Sequence, residues 1–261
     1  MKDIKIYIAA HKKFVEPKDD VYVPLHVGAS GKESLGYQSD AEGDNISDKN
    51  SSYCELTGMY WMWKHAKADI IGLVHYRRYF FKKILNKSSN NILSKKDIEE
   101  LMENYDIIVP LRGFTYKRGS VYDQYNYAHT ISDLDLARDV IKEIYPEYME
   151  AYNKIMNGSE CVQYNMIITR KEIYDEYCEW LFNVLFKVEE RETIKLEDRD
   201  AYNRRVYGFL SERLFNVWAF KNNHYKIHEL PVYNTELNFR KETIIAIVKK
   251  VFFIRNKRLY K

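Results

Sequence analysis

Apolar residues along this chain fall into two rhythms. Runs of six to eight mostly apolar residues, KIYIAA (5–10), VYVPLHVG (21–28), IIGLVHY (70–76), DIIVPL (106–111) and VQYNMIIT (162–169), have the length and content of strands. Between them the apolar positions recur at helical spacing. Leu56, Met59, Tyr60 and Trp63 share one face of a helix that Ser51 or Ser52 can cap, and SKKDIEELMENY (94–105) opens with the serine signature of a second helix. Further helices are predicted over 133–156, broken near Pro146, over 171–190 and over 206–221. Strands alternating with helices predict an α/β sheet with helices on its faces, a class in which ligands sit beyond the carboxyl ends of the strands. His11, His75, Arg77 and Arg78 all follow such strand ends.

Two segments break the alternation. Residues 28–50 are rich in Gly, Ser, Asp and Asn, hold too little apolar surface for a buried element, and read as a long loop, functional or disordered. The last stretch, TIIAIVKKVFFIRNKRLYK (243–261), interleaves Ile, Val and Phe with Lys249, Lys250, Arg255, Lys257, Arg258 and Lys261. It predicts a C-terminal basic amphipathic helix, which either lies on an anionic membrane surface or packs on the domain with a solvated basic face; the near absence of acids favours the membrane. The chain is therefore divided into a domain over 1–240 and a tail over 241–261.

Composition narrows the classes. At 261 residues, 46% hydrophobic and 30% charged, the chain matches a soluble globular protein of one large domain with an appendage. No apolar run approaches the roughly 20 residues that span a bilayer. Charges recur too often in MKDIKIYIAAHKKF for a secretory signal, so a cytoplasmic location is expected. Cys54, Cys161 and Cys178 form no CxxC spacing, which predicts reduced structural cysteines and no zinc site. The 23 tyrosines among 41 Lys and Arg residues would suit base stacking, yet a net charge of only +3 and interleaved acids argue against a nucleic-acid partner.

The candidate chemistry centres on DIIGLVHYRRYF (69–80), which enters as a buried strand and ends in His75, Tyr76, Arg77 and Arg78. Paired guanidinium groups suit a pyrophosphate, because each fork matches phosphate oxygens and stays charged at physiological pH. The alternative is that the two arginines point to opposite faces and pair with surface carboxylates. His11, in AAHKK, is either a base- or phosphate-facing group or a structural histidine. The glycines of 28–31 give only a weak phosphate-loop signal. Asp44, Asn45, Ser47, Asp48 and Asn50 can grip sugar or ribose hydroxyls, or serve turns and caps; Glu55 is either functional or a helix-dipole partner.

The succession AAHK, GDNIS with Asn50, YCELTGMYWMWKH, IGLVHYRRYF, QYNMIITRKEIYDEYCEWLF and GFLSERL, in this order over about residues 4–235, resembles a bacterial family. That family was first described as a domain of unknown function and then as capsular or exopolysaccharide biosynthesis glycosyltransferases. The resemblance implies a GT-A-like mixed sheet flanked by helices. It also implies an inverting transferase that moves a sugar, galactofuranose in characterised relatives, from a UDP-sugar donor to a lipid-linked saccharide acceptor at the inner face of the cytoplasmic membrane. A UDP-hexopyranose-dependent transferase and a non-catalytic nucleotide-sugar or polyanion binder are the alternatives.

Carried over by residue, the resemblance places His11 near the uridine. Asp44, Asn45, Ser47, Asn50 and Glu55 would line the donor pocket, and His75, Tyr76, Arg77 and Arg78 would face the nucleotide diphosphate. Asn165 and Met166, read as ending the strand VQYNM, would approach donor sugar and acceptor. Inversion needs a carboxylate to take the acceptor proton, and Glu212 in GFLSERL is the first candidate, with Asp44 and Asp123 behind it. The alternative for Glu212 is a helix-surface pair with Arg213 or Arg205; Arg213 would otherwise assist the leaving diphosphate. No metal ligand is assigned. Glycosyltransferases of this sheet type often use an Asp-x-Asp pair with Mn or Mg, but the matches at 133–135 and 198–200 end no apolar strand. The cations after the 70–76 strand are expected to take the metal's part.

Overall fold

The computed structural model describes residues 2–82, 91–115 and 119–236. The predicted tail, and with it the boundary at residue 240, lies outside the described residues. In chain order the strands are β1 (Ile4–Ala10), β2 (Tyr22–His26), β3 (Gln38–Ser39), β4 (Ile70–His75), β5 (Arg78–Phe80), β6 (Ile107–Pro110), β7 (Gly113–Phe114), β8 (Glu160–Cys161), β9 (Ile167–Arg170), β10 (Ile227–Leu230) and β11 (Val232–Asn234). The α-helices are α1 (Asn50–Tyr53), α2 (Leu56–His65), α3 (Lys95–Met102), α4 (Val121–Ala128), α5 (Ile131–Ile144), α6 (Met149–Met156), α7 (Lys171–Glu190) and α8 (Val206–Lys221).

The main sheet is mixed, in the order β10-β6-β9-β4-β1-β2-β3, with β5 and β11 branching from the end of β4. β1 is parallel to both β2 and β4, whereas β9 runs antiparallel between β4 and β6. Strand alternation sends Ile4, Ile6 and Ile8 to one face, where they pack with Ile70, Val74 and Ile168 under α3 and the β5–β11 pair. Tyr7 and Ala9, with Ile71, Leu73 and Ile167, face a larger core built from α2, α5, α6, α7 and α8. Both faces are thus covered, which is why these strands read as continuous apolar runs. The fold is the expected GT-A-like mixed α/β sheet, with most helices on one side.

Three local expectations change. VQYNMIIT becomes a strand only from Ile167, because Tyr164 (φ 83°) and Asn165 (φ 51°) take left-handed conformations that end pairing before it begins. Neither Ser51 nor Ser52 caps a helix: α1 already starts at Asn50, and Cys54 (φ 54°) breaks the chain before α2, leaving Glu55 at the N-cap position. The helix over 121–128, missed from the sequence, is set by a Ser120–Asp123 capping box. The break at Pro146 and the Ser94 capping box are as read.

The 28–50 loop is organised by a residue the sequence did not single out. Asp40 is fully buried and accepts hydrogen bonds from the Gly28 and Ala29 N–H groups (2.8 and 3.0 Å), from Ser47 Oγ (2.5 Å) and from Thr57 Oγ1 (2.6 Å). The main-chain donors that hinted at a phosphate loop are therefore held by a carboxylate of the same chain.

Candidate active site

The ends of β1 and β4, the start of β9 and the first turns of α2 and α8 meet along one edge of the sheet. Because β9 is antiparallel to β4, with Ile167 opposite Leu73, the residues just before β9 lie beside the carboxyl end of β4. That brings the 162–166 turn to His75 and Arg78. Arg78 Nη1 lies 3.3 Å from His75 Nδ1, and the guanidinium sits 5.1 Å from the centre of the Tyr164 ring. Burial, reinforced by the Arg78 charge, pushes His75 down to about 3, so the imidazole is neutral and its Nδ1 accepts from Arg78. Among the described residues no carboxylate forms an ion pair with Arg78.

Arg77 goes the other way, because Tyr76 and Arg77 form the two-residue turn between β4 and β5 whereas Arg78 opens β5 opposite His75. Its Nη1 is 3.1 Å from Glu236, which also pairs with Lys12 at 3.3 Å. Tyr76 lies beneath both cations, 4.9 Å from Lys12 Nζ and 5.4 Å from the Arg77 guanidinium, and meets the His11 ring edge-on at 5.1 Å. Burial lowers the His11 pKa, and the nearby Lys12, Arg77 and Lys32 charges lower it further. A cleft of about 510 Å³ opens beside Tyr76, walled by the 12–17 segment and by Tyr79, Phe81, Ile92 and Tyr233.

Glu212, on the face of α8 that looks toward this edge, is fixed by two donors. Its Oε1 accepts from the Tyr164 N–H (2.9 Å) and its Oε2 from Arg213 Nη1 (2.8 Å). Burial raises its pKa above the ordinary glutamate value and the neighbouring Glu55 charge adds to this, against the opposing pull of Arg213, the Tyr164 N–H and Arg205. Asn165 ties the second carboxylate in. Its Nδ2 donates to Glu55 Oε1 (2.8 Å) and to the Gly208 carbonyl (3.1 Å), while its Oδ1 accepts from Ser211 Oγ (2.8 Å). Of the four non-glycine residues with positive φ among the described residues, Cys54, Tyr164 and Asn165 are at this edge. Backbone strain of that kind gathers where surrounding bonds over-determine a functional geometry.

The other expected residues are placed as follows. Asn45 donates to the Ala41 and Gly43 carbonyls, Ser47 to Asp40, and Asn50 to the Cys54 carbonyl and Thr57, so all three are engaged within the loop and the α1–α2 junction. Asp44 accepts from Tyr60 and its carbonyl meets His65; these residues are about 8 and 15 Å further along α2 than Glu55, away from the Glu212 edge. Met166 is 2% exposed and packs in the core beneath the sheet. Arg213, 1% exposed, is sealed behind Glu212, bonding Gln124 Oε1 (2.7 Å) and the Phe209 carbonyl, and so backs the carboxylate rather than facing a leaving group. Asp123 is held in its capping box. Asp133 is buried against Arg199, and Asp200 ties the turn at Tyr202 and Asn203, so both Asp-x-Asp matches serve structure.

Cys54 and Arg205, which sequence reasoning does not assign to the candidate site, also stand at this edge. Cys54, read as merely structural, is half-buried with its Sγ 3.1 Å from Arg205 Nε, and burial lifts the thiol to about 11. Arg205 enters the sequence reading only as a surface partner of Glu212. The one signal for both was proximity in sequence to the ELT and SER blocks.

Fold and edge together define a polar site at the carboxyl ends of β1 and β4 in a mixed α/β sheet. A model of the family described as a domain of unknown function (DUF4422) matches residues 5–223, and the chain belongs to that family. Among solved structures, the WbbM bifunctional glycosyltransferase in its apo form is similar at 32% identity and a TM-score of 0.83, over 90% of this chain and 46% of that one. This chain thus spans less than half of that protein. No curated protein matches. Among the described residues no helix is long and apolar enough to cross a membrane.

Proposed function

We propose that this chain is an inverting glycosyltransferase that moves a sugar, galactofuranose on the family resemblance, from a UDP-linked donor to a lipid-linked saccharide. The observation that carries this is Glu212: a desolvated carboxylate of raised pKa, fixed by Tyr164 N–H and Arg213, at the strand edge where Arg78 forms no ion pair among the described residues. Glu212 takes the proton of the acceptor hydroxyl as its oxygen attacks the anomeric carbon. The bond from that carbon to the diphosphate oxygen breaks, and the negative charge leaving on UDP meets Arg78. The uridine would lie over His11 and Tyr76 at the mouth of the cleft, with Arg77 and Lys12 at its rim.

The strand end that would present metal-binding acids carries two arginines and a neutral histidine, a donor set unsuited to Mg or Mn. Among the described residues no group of three or more His, Cys, Asp or Glu could hold a metal ion. The reading therefore assigns diphosphate neutralisation to the guanidinium groups. The basic tail would hold the domain at an anionic membrane where lipid-linked acceptors reside.

Thermal-shift titration with UDP, ADP and GDP, each with and without EDTA, tests the donor site. UDP is expected to raise the Tm by several degrees and to do so equally after chelation. Stabilisation lost with EDTA would overturn the cationic reading. Consumption of UDP-galactofuranose but not UDP-galactopyranose is the expected result of a donor assay.

A further inference from the structure

Past Glu212, the same face of α8 continues toward its amino end. Arg205, Phe209 and Glu212 stand at i, i+4 and i+7, one above another. Against Phe209 lies His129, with ring centroids 4.0 Å apart and planes 24° apart. Tyr202 packs on both, 5.1 Å from Phe209 and 5.9 Å from His129. The inner ring, Phe209, is 9% exposed, whereas the outer ring, Tyr202, is 53% exposed. Arg205 edges the stack, its guanidinium 5.2 Å from the Phe209 ring and 6.0 Å from the Tyr202 ring. Its Nε donates to Cys54 Sγ at 3.1 Å. His129 Nδ1 has no hydrogen-bond partner among the described residues. Burial first, then Arg213 and Arg205, push His129 down to about 4, so the stack carries no charge of its own near neutrality.

An uncharged aromatic stack with an open outer ring and a guanidinium at its edge suits one kind of ligand in particular. The C–H face of a sugar lies on the ring, and its hydroxyls turn to charged or polar groups at the margin. A nucleobase would also stack, but the cations suited to its diphosphate, Arg78 and Arg77, lie on the strand side of Glu212 rather than on the α8 side. We propose that Tyr202, Phe209 and His129, edged by Arg205, form the platform on which the acceptor saccharide rests, its attacking hydroxyl reaching Glu212 one helical turn away. The proposal rests on the glycosyl-transfer reading, through Glu212 as proton acceptor.

The test measures binding, so it does not depend on turnover. The full chain is titrated with a panel of octyl glycosides (β-galactopyranoside, β-glucopyranoside, β-N-acetylglucosaminide and α-mannopyranoside) by saturation-transfer NMR, alongside UDP. At least one glycoside is expected to bind the wild type and Glu212→Gln alike. Its affinity is expected to fall about tenfold in Tyr202→Ala and to return in Tyr202→Trp, with UDP affinity unchanged throughout. Equal glycoside binding by wild type and Tyr202→Ala, no binding of any glycoside, or loss of UDP binding in Tyr202→Ala would each overturn the platform. The donor reading fails separately: UDP would then leave the wild type unshifted while Tyr202-dependent glycoside binding persists.

Discussion

Glu212 and Glu55 are two carboxylates held by one turn, the first through the Tyr164 N–H and the second through the Asn165 amide. Replacing Glu212 by Gln keeps the shape and removes the proton acceptor. The expected result is a fall in kcat of about 10²–10⁴-fold with UDP affinity retained, and near-normal transfer would remove Glu212 from the role of base. The pH dependence is more specific. As the proposed base Glu212 would work only when ionised, and its pKa stands above the ordinary 4.5, so activity is expected to be lost as pH falls through that raised value. Glu55→Gln takes away a neighbouring negative charge, lowers the Glu212 pKa, and shifts the acid limb of kcat/KM to lower pH; an unmoved limb refutes the coupling. Asn165 separates backbone from side chain. Asn165→Gly keeps the left-handed conformation and loses the clamp, whereas Asn165→Ala loses both. Denaturant unfolding should therefore find the Ala variant about 1 kcal/mol less stable than the Gly variant, while both lose turnover.

At the scale of elements, the 28–50 loop shows how a polar segment becomes structure. Its cohesion converges on the Asp40 carboxylate, and Asp40→Ala strands two main-chain donors and two hydroxyls. A loss of about 3 kcal/mol is expected, with faster amide exchange concentrated in 28–49. That hub was illegible in the sequence because nothing separates Asp40 from the other acids of the loop until the chain closes on it. The strands were legible because burial on both faces demands continuous apolar runs, and the Pro146 break and the Ser94 box were legible because they are local chemistry. Asn165 was misplaced inside a strand for the opposite reason. Its left-handed conformation is held by Glu55 and Ser211, which are remote in sequence, and β-like composition at 162–169 concealed it. The arginine pair divided because a tight hairpin turn places Arg77 in the turn, against Glu236, and Arg78 at the start of β5, beside His75, so that of the two only Arg78 joined the Glu212 edge.

For the molecule as a whole, two couplings reach beyond the site. His75 is held neutral, its pKa pushed down to about 3 from 6.5, so unfolding lets it take up a proton at mildly acid pH. Its contribution to stability is full above about pH 6.5 and is lost as pH falls toward 3, at up to about 1.4 kcal/mol per pH unit. Denaturant midpoints measured from pH 7 to pH 4 should fall less steeply in His75→Asn than in the wild type; parallel curves would reassign the acid sensitivity. The second coupling is proposed from the sequence. Glu236, the last described residue, bonds Lys12 and Arg77 beside the cleft at Tyr76. If Lys249, Lys250, Arg255, Lys257, Arg258 and Lys261 each gain about 1 kcal/mol at an anionic surface, the basic stretch would hold the protein at the membrane where a lipid-linked acceptor resides. Deleting residues 241–261 is then expected to release the protein from phosphatidylglycerol vesicles and to slow transfer to a membrane-embedded acceptor, leaving UDP stabilisation and transfer to a soluble glycoside intact. Vesicle binding that survives the deletion would remove the tail from this role and move the membrane-facing surface onto the folded domain itself.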